Sequence, residues 1–581
     1  MGELKPAKWR FDLFFGLLAA AFAALAGRVV HLQFGGGGDL ARLAARQQRR
    51  VMVLPARPGN IYARTRGGYV LLAGSQQVPT CYADPVLIGP DKLASAARQI
   101  AAAVGSSEPE LYRKMHDRRD KRFVYLLRNV SAAQARALGE LKLRGVGLMH
   151  EWRRHYPSGP LAAHAVGFRR IDGVAGAGIE LQADSHLRSR DGVAVMGSDA
   201  ARTGSYGFVQ HYRPPVDGRH VFLTLDAIVQ GFLEQALAEL AERYKAAAAW
   251  GVVMEPDTGE ILAIACAPGY DPNDYAHTSP EQRRNRAVTD PYEPGSCFKP
   301  FIAVGAVQMD RAALDTEFFC HNGIYHAPRG GTIRDFPGMH FGQLPLAEIV
   351  IRSSNIGMAK LGEHLGDWRL HRISSAFGFG RRTGADLPGE SPGRLVPVSR
   401  WTPYATRRLP FGQGPIMVTT LQMATAFSAI ANGGELLRPR IIDRVVDADG
   451  TLVYQSSRQR VRRVLSRRVA RQFLEEVLVN VVERGTGKRA RLRQWRVFGK
   501  TGTAQIGGPN GYEERAYTAT FVGGAPAAKP AAVCVISVYR PDYSAGYTGG
   551  KVAAPYVGEV LEKTLEYLEA PPDKLGQVAR R

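Results

Sequence analysis

Three short strings, Ser296-Cys297-Phe298-Lys299, Ser353-Ser354-Asn355 and Lys500-Thr501-Gly502, each occur once in 581 residues and in that order. Together they hold the parts that acyl transfer through a serine ester needs: a nucleophile, a base, a proton relay and a carboxylate clamp. Any one of them alone is ordinary, because serine three before lysine, or two before asparagine, arises by chance on solvated helices and loops. The ordered set is specific, and it demands a fold that gathers segments distant in sequence.

The first string follows a turn-rich approach, Asn285 to Gly295, and precedes the apolar run Phe301 to Val307, which predicts a buried helix. Pro300 fixes the start of that helix, since a proline is tolerated only in the first turn, where its missing N–H leaves no bond unmade. Ser296 therefore lies at the helix start, and at i,i+3 spacing it shares a face with Lys299, with Cβ atoms roughly 5–6 Å apart. Unpaired N–H groups and the positive dipole end there favour an oxyanion. A free lysine titrates near ~10.4, so Lys299 must be depressed to act as a base. Apolar neighbours (Phe298, Phe301, Ile302) and the charge of Lys500 both push that way.

Lys500-Thr501-Gly502-Thr503-Ala504 follows Arg496-Val497-Phe498 and reads as a strand. Thr501 and Thr503 point one way, and Gly502 leaves no side chain beside them. Such a bare edge suits an extended peptide added as a strand, with its terminal carboxylate held by the lysine and two hydroxyls. Gly389-Glu390-Ser391-Pro392-Gly393 matches the nucleophile-elbow pattern, but its surroundings are loop composition rather than strand and helix, so it is rejected.

With these strings the chain resembles the class B penicillin-binding proteins, the monofunctional peptidoglycan D,D-transpeptidases of the septal, FtsI-like and SpoVD-like kind. Asn285 to Asp290, Glu293-Pro294-Gly295-Ser296, Gly412-Gln413-Gly414, Val418 to Met423, Gly485-Thr486-Gly487, Tyr517 to Ala525 and Val552-Ala553-Ala554-Pro555 extend the likeness over nearly the whole chain. The resemblance implies an α/β (α+β) penicillin-binding transpeptidase fold, an antiparallel sheet with helices on both faces, behind a transmembrane helix and a β-rich elongated pedestal. It implies that Ser296 attacks the penultimate D-alanine carbonyl of a D-alanyl-D-alanine stem peptide, with Lys299 as base. Ser353 would relay protons, Asn355 would bind the donor amide, and Lys500 would sit against Ser353. Thr501 and Thr503, flanking Gly502, would hold the carboxylate, and the N–H groups of Ser296 and Thr503 would form the oxyanion hole. β-Lactams should acylate Ser296. No cofactor is implied. The expected partners are a SEDS-type glycan polymerase and other membrane proteins of the division complex. Cys297 departs from the expected small polar or β-branched residue and reads as a packed side chain.

Net charge is +23, yet no recognised nucleic-acid motif accompanies it; an anionic membrane surface or an acidic wall polymer fits the charge equally. Five scattered cysteines define no disulfide framework. Leu13 to Gly27 is apolar, and a full span from Phe11 requires Asp12 and Arg28 to snorkel. Lys5, Lys8 and Arg10 put the N-terminus in the cytoplasm, although Arg28, Arg42, Arg46, Arg49 and Arg50 follow the span. A cleaved signal peptide ending near Ala24-Leu25-Ala26 is the rival reading, and either exports the domains.

The expected organisation is a cytoplasmic tail (1–10), an inner-membrane anchor (11–34) with a glycine joint at Gly35 to Gly38, a pedestal (35–215), a transpeptidase domain (216–570) and a frayed polar tail (571–581). A charged helix is expected over Glu108 to Leu127. In the pedestal, Arg57 to Ile61 and Gly176 to Glu180 resemble family motifs, whereas Ala63-Arg64-Thr65-Arg66 lacks the usual acidic-then-basic turn. After Asp226 an amphipathic helix carries Phe232, Leu233, Leu237 and Leu240 on one face. Trp250 to Met254 and Ile261 to Ala267 flank Pro256-Asp257-Thr258-Gly259 as a hairpin. Cys320, His321, Asp335 and His340 are zinc-type ligands at spacing that fits no standard site, which leaves a polar loop near the cleft as the stronger reading. The alternatives within the enzyme class are an elongation-type transpeptidase, a serine β-lactamase or a D,D-carboxypeptidase; outside it, a β-lactam sensor or a scaffold.

Overall fold

The computed structural model describes residues 8–35, 49–197, 209–328, 331–508 and 511–574. Most of the expected glycine joint, the first residues of the cytoplasmic tail and the last of the polar tail lie outside them. The chain divides into two compact units, Met1–Arg57 with Ser189–Asp217, and Pro58–Arg188 with Gly218–Arg581.

In the first unit the apolar N-terminal run forms the helix Lys8–Val30, continued by a π turn at His31–Gly35. The most apolar 18-residue window of Lys8–Phe34 has a mean hydropathy of 2.1 and buries nothing against protein. Twenty-three helical residues cover about 35 Å, enough for a hydrocarbon core of about 30 Å. A single apolar helix of this length suits a one-pass anchor. The unit also holds an antiparallel sheet of Arg49–Leu54, Gly192–Gly197 and Val209–Arg213.

The second unit is built on two larger sheets. One has five strands in the order Ile261–Ala267, Ala248–Met254, Ala532–Tyr539, Gly511–Ala525 and Phe498–Gly508, antiparallel throughout. Of its inner strands, Ala248–Met254 and Ala532–Tyr539 are near-continuous apolar runs because both faces are covered. Val253, Cys534, Ile536 and Phe521 face the helices Ala227–Arg243 and Ala554–Tyr567; Val252, Val533, Val535 and Val522 belong to the core on the opposite side, which Thr420–Ala431 covers. The expected hairpin is present, with Gly259 at φ +77° closing it onto the Glu255 carbonyl. On Ala227–Arg243 the side chains of Leu233, Leu237 and Leu240 are buried, whereas Phe232 sits at the margin.

The other sheet runs Leu452–Gln455, Ile442–Val446, His220–Asp226, Ile61–Thr65, Gly68–Ala83 and Val124–Leu127, with Val146–His155 also paired to Gly68–Ala83. His220–Asp226 pairs in parallel with Ile61–Thr65 and antiparallel with Ile442–Val446, so segments from either side of position 216 share one sheet. Arg64, in the strand Ile61–Thr65 and in the stretch that departs from the family pattern, pairs with Glu260 at 2.6 Å, and Glu260 also binds Arg440. Arg66 pairs with Glu569 at 2.6 Å. The Gly178 to Glu180 stretch serves a buried ion cluster, in which Glu180 meets Arg154 and, at 3.1 Å, Arg169.

Two expectations need correction. The helix begun at Glu108, capped by Ser107, stops at His116; Val124–Leu127 is a strand. Between them Arg118 to Arg122 offers no apolar side chain to bury, and from Val124 the burial alternates with period two. The segment after Leu568 is not frayed as far as Lys574: Trp495 donates to the Ala570 carbonyl, the Asp573 carboxylate accepts from the amide of Arg496 at 2.6 Å, and the amide of Lys574 donates to the Gln494 carbonyl.

Candidate active site

A short 3-10 turn, Gly295–Phe298, carries Ser296 and leads into the helix Lys299–Gln308, with Pro300 in its first turn. The helix is anchored by aromatic packing: Phe298, Phe301, Phe379 and Phe427 are fully buried and meet with ring centroids 5.1–6.3 Å apart. Burial of each such side chain contributes about 1.5–3 kcal/mol, which fixes the turn that presents the serine. Ser296 itself is partly exposed, and no hydrogen bond ties its hydroxyl to another described residue.

Two glycines let the neighbours close on this turn. A Cβ at Gly502 would lie 2.8 Å from Cys297 Sγ and 2.8 Å from the Pro294 carbonyl oxygen, and one at Gly412, where φ is +78°, would lie 2.1 Å from the Gly295 carbonyl oxygen. The thiol of Cys297 is buried against the carbonyls of Lys500 and Thr520, and burial pushes its pKa up to about 12. It is a packing group facing the sheet.

The second string forms a helix break. The helix Leu346–Arg352 ends at Ser353 in the left-handed conformation (φ +64°, ψ +37°), and Ser354 caps the next helix, Asn355–Leu365. A serine is rarely held at positive φ, and such residues concentrate where function requires a particular direction. Here the turn delivers both the Ser353 hydroxyl and its carbonyl to the two lysines. Lys299 Nζ donates to the Ser353 carbonyl at 2.5 Å and to Asn355 Oδ1 at 2.8 Å, and lies 3.2 Å from Ser353 Oγ. Lys500 Nζ lies 2.9 Å from the same Oγ and 3.2 Å from the Thr501 carbonyl. Asn355 Nδ2 donates to the Arg334 carbonyl at 3.0 Å.

Both lysines are fully buried. Burial, reinforced by the charge of Lys500, holds Lys299 well below the usual lysine range; the Asp335 charge pulls the other way. Burial lowers Lys500 to about 8, opposed by Cys297.

Phe498–Gly508, carrying the third string, is the terminal strand of its sheet, with its outer edge unpaired by any other described strand and the Ser296 turn packed against it. Thr501 Oγ1 is 2.7 Å from Thr486 Oγ1, and Thr503 Oγ1 accepts from the Gly549 amide at 3.2 Å. Ser296, Lys299, Ser353, Asn355 and the run Lys500 to Thr503 thus belong to one locality. Gly389 to Gly393 is loop, its Glu390 carboxylate bound to the amides of Thr383 and Gly384.

Several contributors escape a reading of the strings alone. The Asp335 carboxylate accepts from the Ser354 hydroxyl at 2.9 and 3.0 Å and from the amides of Asn355 and Ile356 at 2.5 and 3.1 Å. His340 Nδ1 donates to the Asn322 carbonyl at 3.1 Å, and the Cys320 thiol is near the Phe318 carbonyl. Glu293 binds the Gly414 amide and the Tyr512 hydroxyl, each at 2.9 Å. Beneath the turn, Trp250, Thr420, Ser537, Thr520 and Tyr292 share a buried hydroxyl network. The one clue in sequence was chemical type, a carboxylate 20 positions before Asn355 and a serine next to that asparagine.

A penicillin binding protein transpeptidase domain profile matches residues 249–562, and a penicillin-binding protein dimerisation domain profile matches 53–223. The chain belongs to the penicillin-binding transpeptidase family. It is 33% identical to stage V sporulation protein D of Bacillus subtilis over 97% of this chain and 86% of that one. It is 30% identical to the peptidoglycan D,D-transpeptidase FtsI of Escherichia coli, over 98% and 93%. Among solved structures, a peptidoglycan synthetase from Bifidobacterium adolescentis superposes with a TM-score of 0.71 at 28% identity, over 90% of this penicillin-binding protein and 98% of that chain. Penicillin-binding protein 3 of Mycobacterium tuberculosis, complexed with aztreonam, gives 0.68 at 26%, with the same coverage.

Proposed function

We propose that this protein is a serine D,D-transpeptidase that cross-links peptidoglycan stem peptides through an acyl-enzyme on Ser296, in the septal branch of wall synthesis. The observation that carries the reading is one hydroxyl, Ser353 Oγ, lying within 3.2 Å of both buried lysines. A neutral Lys299 spends two N–H bonds on the Ser353 carbonyl and Asn355 and keeps its lone pair for a proton. Ser296 Oγ bonds to the carbonyl carbon of the penultimate D-alanine as its proton passes to Lys299, and the oxyanion is met by the amides of Ser296 and Thr503. The C–N bond to the terminal D-alanine breaks as the leaving amine takes a proton through Ser353, replenished from Lys500. An acceptor amine then attacks the ester, its proton passing through Ser353 to Lys500, and the protonated Lys299 gives its proton to the departing Ser296 oxygen, which restores both lysines and the hydroxyl. Asn355 holds the donor amide, and Lys500 with Thr501 and Thr503 holds the terminal carboxylate beside Gly502.

The N-terminal helix anchors the protein in the cytoplasmic (inner) membrane, with Lys8 and Arg10 on the cytoplasmic side and the catalytic unit outside. A SEDS-type glycan polymerase and other division-complex membrane proteins are the partners, and β-lactams are suicide ligands. The test is labelling with a tagged penicillin followed by mass mapping. Wild type should carry a long-lived adduct on Ser296 that Ser296→Ala lacks, and should transfer a donor acyl group to an amine acceptor in preference to water. An adduct elsewhere sinks the reading, and release within minutes turns it into a hydrolase.

A further inference from the structure

We propose that Asp335 is a positioning residue for acyl transfer, its carboxylate holding the turn that delivers Ser353 and Asn355 to the two lysines. The side chain is 8% exposed and lies 18 positions before Ser353, on no element of the three strings. One of its oxygens accepts the first two amides of the helix Asn355–Leu365, and both receive the Ser354 hydroxyl. Ser354 Oγ serves a different amide, that of Gly357 at 3.0 Å. The orphan donors at this helix start therefore depend on Asp335. The adjacent Arg334 carbonyl grips Asn355 Nδ2, so two consecutive residues fix Asn355 by backbone and side chain, and with it the left-handed turn at Ser353.

The carboxylate also sets charge balance. The groups facing the Lys299 amine are Lys500 from the edge strand, Asp335 and Cys320, and Asp335 is the anion that favours the protonated amine. Removing its charge while keeping an acceptor makes Lys299 neutral at lower pH; removing both also frees the turn.

The proposal rests on Ser296 as nucleophile, and the test separates the two. Second-order acylation by a chromogenic β-lactam is measured from pH 5.5 to 9.5 on the full-length detergent-solubilised wild type, Asp335→Asn, Asp335→Ala and Ser296→Ala, with melting curves of each. Labelling lost in Ser296→Ala secures the nucleophile. Asp335→Asn is then expected to acylate within about tenfold of wild type, with the acidic limb of its profile moved down by about half a unit or more. Asp335→Ala is expected to fall about 100-fold. Variants that acylate like wild type with an unmoved limb overturn the positioning role alone. A loss common to both variants that tracks their melting points, with no movement of the limb in Asp335→Asn, overturns it too, as a purely structural effect. If Asp335→Ala does not fold, the limb of Asp335→Asn decides.

Discussion

A lysine amine in a dry site resists its proton, and the resistance is measurable as stability. Lys500 titrates at about 8 when folded against ~10.4 in an unfolded chain. Between those values the unfolded chain holds a proton that the folded one has released, so stability rises with pH across that window. Below it the folded state bears the whole penalty, about 3 kcal/mol at 1.36 per unit. The urea midpoint of wild type should therefore gain on that of Lys500→Met between pH 7.5 and 10; parallel curves would mean that the amine is not depressed. For Lys299 the direction was legible in the string context, since apolar neighbours surround it and a second lysine must approach any site that uses both; for Lys500 the sequence carried no such expectation. The Asp335 contact was not legible, because a carboxylate that caps a helix some 20 residues on has the same sequence appearance as a metal ligand or a solvated loop.

At the scale of elements, the catalytic geometry is a matter of how closely a turn can approach a strand. Gly502→Ala introduces a methyl 2.8 Å from both Cys297 Sγ and the Pro294 oxygen. It should displace the Ser296 turn by several tenths of an ångström and slow acylation by about 100-fold, with β-lactam binding weakened far less; stopped-flow separation of binding from acylation checks this, and an unchanged acylation step would refute it. Cys297→Ala added to Gly502→Ala removes the sulfur clash but not the carbonyl clash, so recovery should be partial. Pro300 and the glycine-closed hairpin were readable because each is dictated by local backbone chemistry. The end of the helix begun at Glu108 was misread because a charged run satisfies helix propensity on paper while offering nothing to bury.

For the molecule as a whole, the sheet shared by Ile61–Thr65, His220–Asp226 and Ile442–Val446 makes residues 216–570 an incomplete piece. Expressed alone, that span leaves one side of His220–Asp226 unpaired and strips Glu260 of Arg64. It should melt several degrees below the chain that also carries 58–188 and should aggregate more readily, as scanning calorimetry and light scattering would show; an equal melting point would contradict it. Parallel pairing between strands this far apart leaves no local pattern, which is why the sequence suggested a boundary at 216 where hydrogen bonds run across. The order of synthesis inherits the consequence. Ile61–Thr65 leaves the ribosome long before its parallel neighbour, and that neighbour in turn waits for Ile442–Val446, so a nascent chain carries an open ladder edge for most of its manufacture.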